Sequence, residues 1–84
     1  MTLKELAREA IDIQDACNLF GIVSGMLDAM RSLREQFPKA SNEELYKHPI
    51  TRLWASKIHD LARMGLSNTE RYEEAYQSCK ELAG

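Results

Sequence analysis

Strand-forming residues are scarce in this 84-residue sequence. β-branched side chains are few and no segment alternates apolar and polar residues for long, which excludes a sheet as the organising element. No uninterrupted apolar run approaches the ~18–20 residues of a membrane-crossing helix. The only cysteines are Cys17 and Cys79, too few for a disulfide framework, and both fall on apolar helical faces, so a reduced, buried pair is expected. The only histidines, His48 and His59, match no zinc-ligand spacing with each other or with the cysteines, so neither metal nor cofactor is expected. Charge of one sign is not in excess either. The 11 Lys and Arg against 13 Asp and Glu leave a formal net charge of -2, and a general affinity for nucleic acid or an anionic membrane does not follow. Residues Met1–Glu5 lack the apolar core of a secretory signal, and a cytoplasmic protein is expected. Repeats, low-complexity tracts and flexible linkers are absent, so residues 1–84 read as one domain.

What is present is dense helix punctuation. Thr2 and Glu5 form a capping box, followed by Leu3, Leu6, Ala7 and Ala10 at helical spacing. A break or bend is expected near Ile11–Ile13, after which a second helix runs to about Gln36. It stops before Pro38, which disfavours helical geometry at Phe37. Ser41 and Glu44 open a short helix over Asn42–Lys47. Pro49 suits the first position of a third long helix, whose apolar face is Ile50, Leu53, Trp54, Ile58 and Leu61. Gly65 marks the end of that helix, Ser67 and Glu70 make a third capping box, and Tyr72, Ala75, Tyr76, Cys79 and Leu82 stripe the last helix. The expected fold is all-α: a compact bundle of three to four main helices with a short extra helix.

The second helix carries more apolar residues than one stripe can use. Phe20, Val23, Leu27, Met30 and Leu33 form one stripe, which Leu19, Ile22 and Met26 widen, so this helix is expected at the centre of the bundle. Cys17, Gly21, Gly25 and Ala29 recur every four residues as a ridge of small side chains. Glycine inside a helix costs roughly 0.5–1 kcal/mol against alanine, so two in register imply a close backbone contact, either internal or along a dimer seam.

No nucleophile–base–orienter set, phosphate loop or metal cluster can be assembled, so no catalytic residue is assigned and an enzyme is not expected. Cys17 would be a nucleophile only with a histidine within reach; a buried small residue of the ridge is the simpler reading. Asp15 and Asn18 read either as a polar constellation or as helix caps, and His48 as a helix-start residue. Trp54, Tyr72 and Tyr76 read as core aromatics whose polar atoms reach the rim. Basic residues gather in the middle of the chain, with Arg52, Ser56, His59 and Arg63 on one helix face, while acidic residues concentrate elsewhere. Tyr46, beside Lys47 and His48, is the aromatic expected to be exposed. Tyrosine next to positive charge is common at interfaces, which makes Arg31, Arg34, Tyr46, Lys47, Arg52 and Arg63 the candidate partner-binding residues. The acidic last helix argues against sequence-specific DNA reading.

Two segments, Gln14-Asp15-Ala16-Cys17-Asn18-Leu19-Phe20-Gly21-Ile22-Val23 and His48-Pro49-Ile50-Thr51-Arg52-Leu53-Trp54-Ala55-Ser56-Lys57-Ile58, resemble small helical proteins of bacteriophages and mobile elements. The resemblance implies a setting in which small acidic helical proteins bind and block host defence complexes, anti-CRISPR proteins among them. The function expected is a non-enzymatic protein–protein interaction module, with a protein partner and no membrane. The alternative is a small homodimeric regulatory or nucleic-acid-associated accessory protein with Gly21 and Gly25 at its seam.

Overall fold

In a computed structural model, residues 2–62 and 69–84 are described, with residues 14 and 69–72 described in backbone only. The chain is all-α, with helices α1 (Leu3–Asp12), α2 (Leu19–Gln36), α3 (Asn42–Lys47), α4 (Pro49–Ala62) and α5 (Thr69–Ala83), and a 3-10 turn over Ile13–Asp15. The expected signals at Gly65, Ser67 and Arg63, and the side chains of Glu70 and Tyr72, lie outside the described residues.

The local chemistry explains each boundary. At α1 the Glu5 amide donates to Thr2 Oγ1 at 3.2 Å and the Thr2 amide donates to Glu5 Oε1 at 3.4 Å, closing the capping box. The hydrogen bonds from Thr2 hold the Glu5 carboxyl below the usual carboxylate value. The break after α1 is longer than the sequence suggests, because the chain turns through Ile13–Asp15 and stays extended at Ala16 and Asn18. Asn18 then caps α2, its Oδ1 accepting from the Gly21 amide at 3.2 Å. Helix α2 ends at Gln36 in front of Pro38, and Ser41 Oγ accepts from the Glu44 amide at 3.1 Å to open α3. Between α3 and α4, His48 is extended; its Nδ1 accepts from the Ile50 amide at 3.2 Å and its carbonyl accepts the first helical bond, from Arg52. His48 is thus the start residue of α4, with Pro49 as first helical residue.

The hub of the bundle is α4, not α2. Helix α4 touches α1, α2, α3, α5 and the 3-10 turn, whereas α2 leans on α4 with lesser contacts to α1 and α3. Ile50, Leu53 and Trp54 of α4 are buried between Leu6 and Ala10 of α1, Ile22, Ala29 and Leu33 of α2, and Ala75 and Cys79 of α5. The cause is the shape of the helices. Helix α4 has large apolar residues that must be covered on more than one side, while only one flank of α2 is covered.

Candidate protein-interaction site

Three of the residues expected at a binding surface converge. Tyr46 and Lys47 end α3, and Arg52, Ser56 and His59 recur along one face of α4 at helical spacing. With Ala55 and Asp60 they line a surface cavity of about 340 Å³. The local folding that places them is simple: the Ser41 cap starts a six-residue helix, and the extended His48 turns the chain into α4 so that the end of α3 overhangs the α4 face. Tyr46 is 54% exposed. Lys47 Nζ lies 3.2 Å from Glu43 Oε1, and Arg52 Nη2 lies 3.7 Å from Glu74 Oε2, which ties α4 to α5. Lys47, Glu43 and Glu74 are well exposed, so these pairs are weak and leave both cations available to a stronger anionic partner. The surface offers a phenol, two cations, an imidazole and the Asp60 carboxylate around one concavity.

The remaining candidates do not join them. Arg34 is half-buried and donates to the Ala40 carbonyl and to Asn42 Oδ1. It ties the 37–41 loop back to α2 and is a structural residue, because a guanidinium bonded to both groups is no longer free to bind elsewhere. Arg31 stays exposed on α2, pairs with Asp28 at 3.7 Å and is not among the residues lining the cavity. Arg63 lies outside the described residues.

The ridge of small residues is corrected at its start and explained at its end. Cys17 precedes α2 and is exposed, with its thiol 3.7 Å from the Asp15 carbonyl, so it belongs neither to the ridge nor to a buried pair. The extended backbone at Ala16 and Asn18 is what removes it from the helical register. Gly21 is exposed, and a Cβ there would meet nothing nearer than the Asn18 side chain at 3.7 Å. At Gly25 a Cβ would lie 2.6 Å from Trp54 ring carbons. The close contact at Gly25 is internal and is made by a side chain, not by the backbone that the sequence implies: the indole of α4 sits on the glycine of α2, next to buried Ala29. Trp54 Nε1 is buried without a hydrogen-bond partner, contrary to an indole reaching the rim. Cys79 is fully buried, and burial pushes its thiol up to about 11.

Helix α2 has more apolar surface than its neighbours cover. The buried flank of α2 is Ile22, Ala29 and Leu33 with half-buried Met26, while Leu19, Phe20, Val23 and Leu27 are exposed, Phe20 at 82% and Leu27 at 58%. The sequence pattern puts Phe20, Val23 and Leu27 in the main stripe of a central helix, and the structure leaves them outward. The signal that separates the flanks is size: Gly25 and Ala29 mark the side where another helix approaches, and large side chains crowd the side where none does.

Among the described residues no cluster of His, Cys, Asp and Glu is placed to hold a metal ion, and no helix is long and apolar enough to cross a membrane. No family model, curated protein or solved structure matches this chain.

Proposed function

We propose that this chain is a non-enzymatic helical protein-interaction module that grips an acidic surface of a protein partner through Tyr46, Lys47 and Arg52. The observation that carries this reading is the convergence of an exposed tyrosine and two cations around one concavity. An aromatic anchor supplies buried area at low entropic cost, and flanking cations select carboxylates and speed encounter. The resemblance to small phage and mobile-element proteins adds the setting: an inhibitor that occupies a host defence complex, of the anti-CRISPR kind, in the cytoplasm.

The test is affinity capture from a bacterial lysate with the wild-type chain and with Tyr46→Ala and Lys47→Glu variants. Both side chains are exposed, so the variants are expected to keep the wild-type melting temperature. A host complex held at fixed stoichiometry, weakened by salt and lost with either variant, supports the reading. Capture that neither variant alters would move the binding surface elsewhere. The alternative, a small homodimeric accessory protein, draws on the exposed flank of α2 and not on the Gly21 and Gly25 ridge, since Trp54 already fills the latter at Gly25.

A further inference from the structure

We infer that the concavity between α3 and α4 binds a nucleoside monophosphate. The inference rests on the reading of the Tyr46–Arg52 surface as a binding face, and it does not need a protein partner.

The donors on this face are more numerous and more varied than a carboxylate uses. Arg52, Ser56 and His59 recur at i, i+4 and i+7 on α4, and Lys47 ends α3 at the same cavity. Together they supply a guanidinium, an ammonium, a hydroxyl and an imidazole. The three terminal oxygens of a phosphomonoester accept from such a set, and the two cations match its charge. Arg52 is tied to Glu74 through one nitrogen, Nη2, at 3.7 Å, which leaves the other nitrogens of the fork for a ligand. Among the described residues no hydrogen bond or ion pair engages the side chains of Tyr46, Ser56, His59 or Asp60. Four polar groups that line one hollow are thus free to take a ligand.

Phosphate alone does not account for the rest of the lining. Asp60 lies one helical turn beyond Ser56, and a carboxylate in an anion site repels the anion. It becomes an asset where the same ligand carries hydroxyl donors, because an ionised carboxylate only accepts. A ribose carries them. Tyr46, 54% exposed, offers a ring face on which a planar base stacks, and half-buried Ala55 adds an apolar patch to the lining. The cavity of about 340 Å³ stands at the low end of the roughly 300–1,000 Å³ typical of small-molecule sites, which suits one nucleotide and not two. A phosphate, hydroxyls and a flat ring in one compact molecule are the parts of a nucleoside monophosphate.

The experiment is a titration of the full chain with AMP, followed by heteronuclear amide NMR, with inorganic phosphate and adenosine as separate probes. The expected result is saturable shifts confined to Tyr46, Lys47 and residues 52–60, with Kd in the high micromolar to millimolar range of an open site. Phosphate and adenosine each bind at least about tenfold more weakly than AMP. Lys47→Ala and His59→Ala each raise Kd for AMP about fivefold, with folding checked by far-ultraviolet circular dichroism. Asp60→Ala separates a nucleotide site from a bare anion site. Loss of the carboxylate is expected to weaken AMP about threefold and to tighten inorganic phosphate. If Asp60→Ala tightens both, the carboxylate holds no ribose and the inference is overturned. Shifts absent at millimolar AMP, or spread over Arg31 and Lys39, overturn it as well, and so does phosphate that binds as tightly as AMP. If AMP fails while Tyr46→Ala still abolishes capture of a protein, this inference falls and the protein-partner reading stands; AMP binding without capture reverses the two.

Discussion

The two flanks of α2 are near equals in hydrophobicity and opposites in environment. Ile22, Met26, Ala29 and Leu33 face α4 and the core; Leu19, Phe20, Val23 and Leu27 face outward. What separates them is the size of the side chains beside the contact. Helices approach closely where side chains are small, and Gly25 and Ala29 admit Trp54 on one flank only. Helix α4 shows the converse: its large residues on several sides are all covered because it sits between α1, α2 and α5. Apolar character states that a residue needs cover; the neighbour that provides cover is a property of the whole fold.

The same contrast runs through matched residues elsewhere, and each pair offers a way to break it. The widest difference is between the two cysteines. Burial raises the Cys79 thiol to about 11, so at mildly alkaline pH its thiolate is about a thousandfold scarcer than its thiol. Thiol titration of the native chain is expected to count one reactive group, Cys17, and a second only after denaturant is added. Two thiols reacting at similar rates would place Cys79 outside the core.

Next in size is the pair of leucines on α2. Leu33→Ala removes a side chain with 0% exposure and is expected to cost about 2–5 kcal/mol in chemical denaturation. Leu27→Ala, at a position 58% exposed, is expected to stay within about 0.5 kcal/mol of wild type. Similar losses at both sites would mean that the flanks are equally buried.

The glycines come third. Gly25→Ala drives a Cβ to 2.6 Å from the Trp54 ring, and the resulting shift of a packed indole is expected to cost about 1–3 kcal/mol. Gly21→Ala meets only ordinary contact and is expected to stabilise by about 0.4–1 kcal/mol through the unfolded chain. Opposite signs in paired thermal melts would sharpen the comparison, and equal signs would break it.

The smallest effect is at the α3–α4 junction. Burial holds His48 below its ordinary value, and its Nδ1 must stay unprotonated to accept from Ile50. Between the folded and unfolded values the unfolded chain binds more protons, so stability rises with pH there. The contribution is complete above the ordinary histidine value and is lost as pH falls through the folded one. A denaturation midpoint that drops on mild acidification in wild type, and drops less in His48→Asn, is the expected outcome.

Much of the fold was legible because its signals are local. Thr2 with Glu5, Ser41, Pro38 and the His48–Pro49 step act on amides within four residues, and the structure has the caps and helix ends they imply. The clustering of Tyr46 with Arg52 was partly legible for the same reason, being a short helix beside one helical face. Arg34 was not, because its partners Ala40 and Asn42 lie across a turn whose closure no local pattern encodes. Cys17 was misplaced because a four-residue repeat says nothing about whether the helix has started.

By itself, then, the sequence determined the helices, their caps, the short α3 and the surplus of apolar surface on α2, since each depends on backbone chemistry within a turn or two. Only the tertiary structure decided that α4 is the hub, that Trp54 occupies the Gly25 hollow, and that Phe20, Val23 and Leu27 face outward. Those outcomes depend on which side chains fit together across distant parts of the chain. Close packing is settled by shape in three dimensions, which a periodic pattern along one helix does not contain.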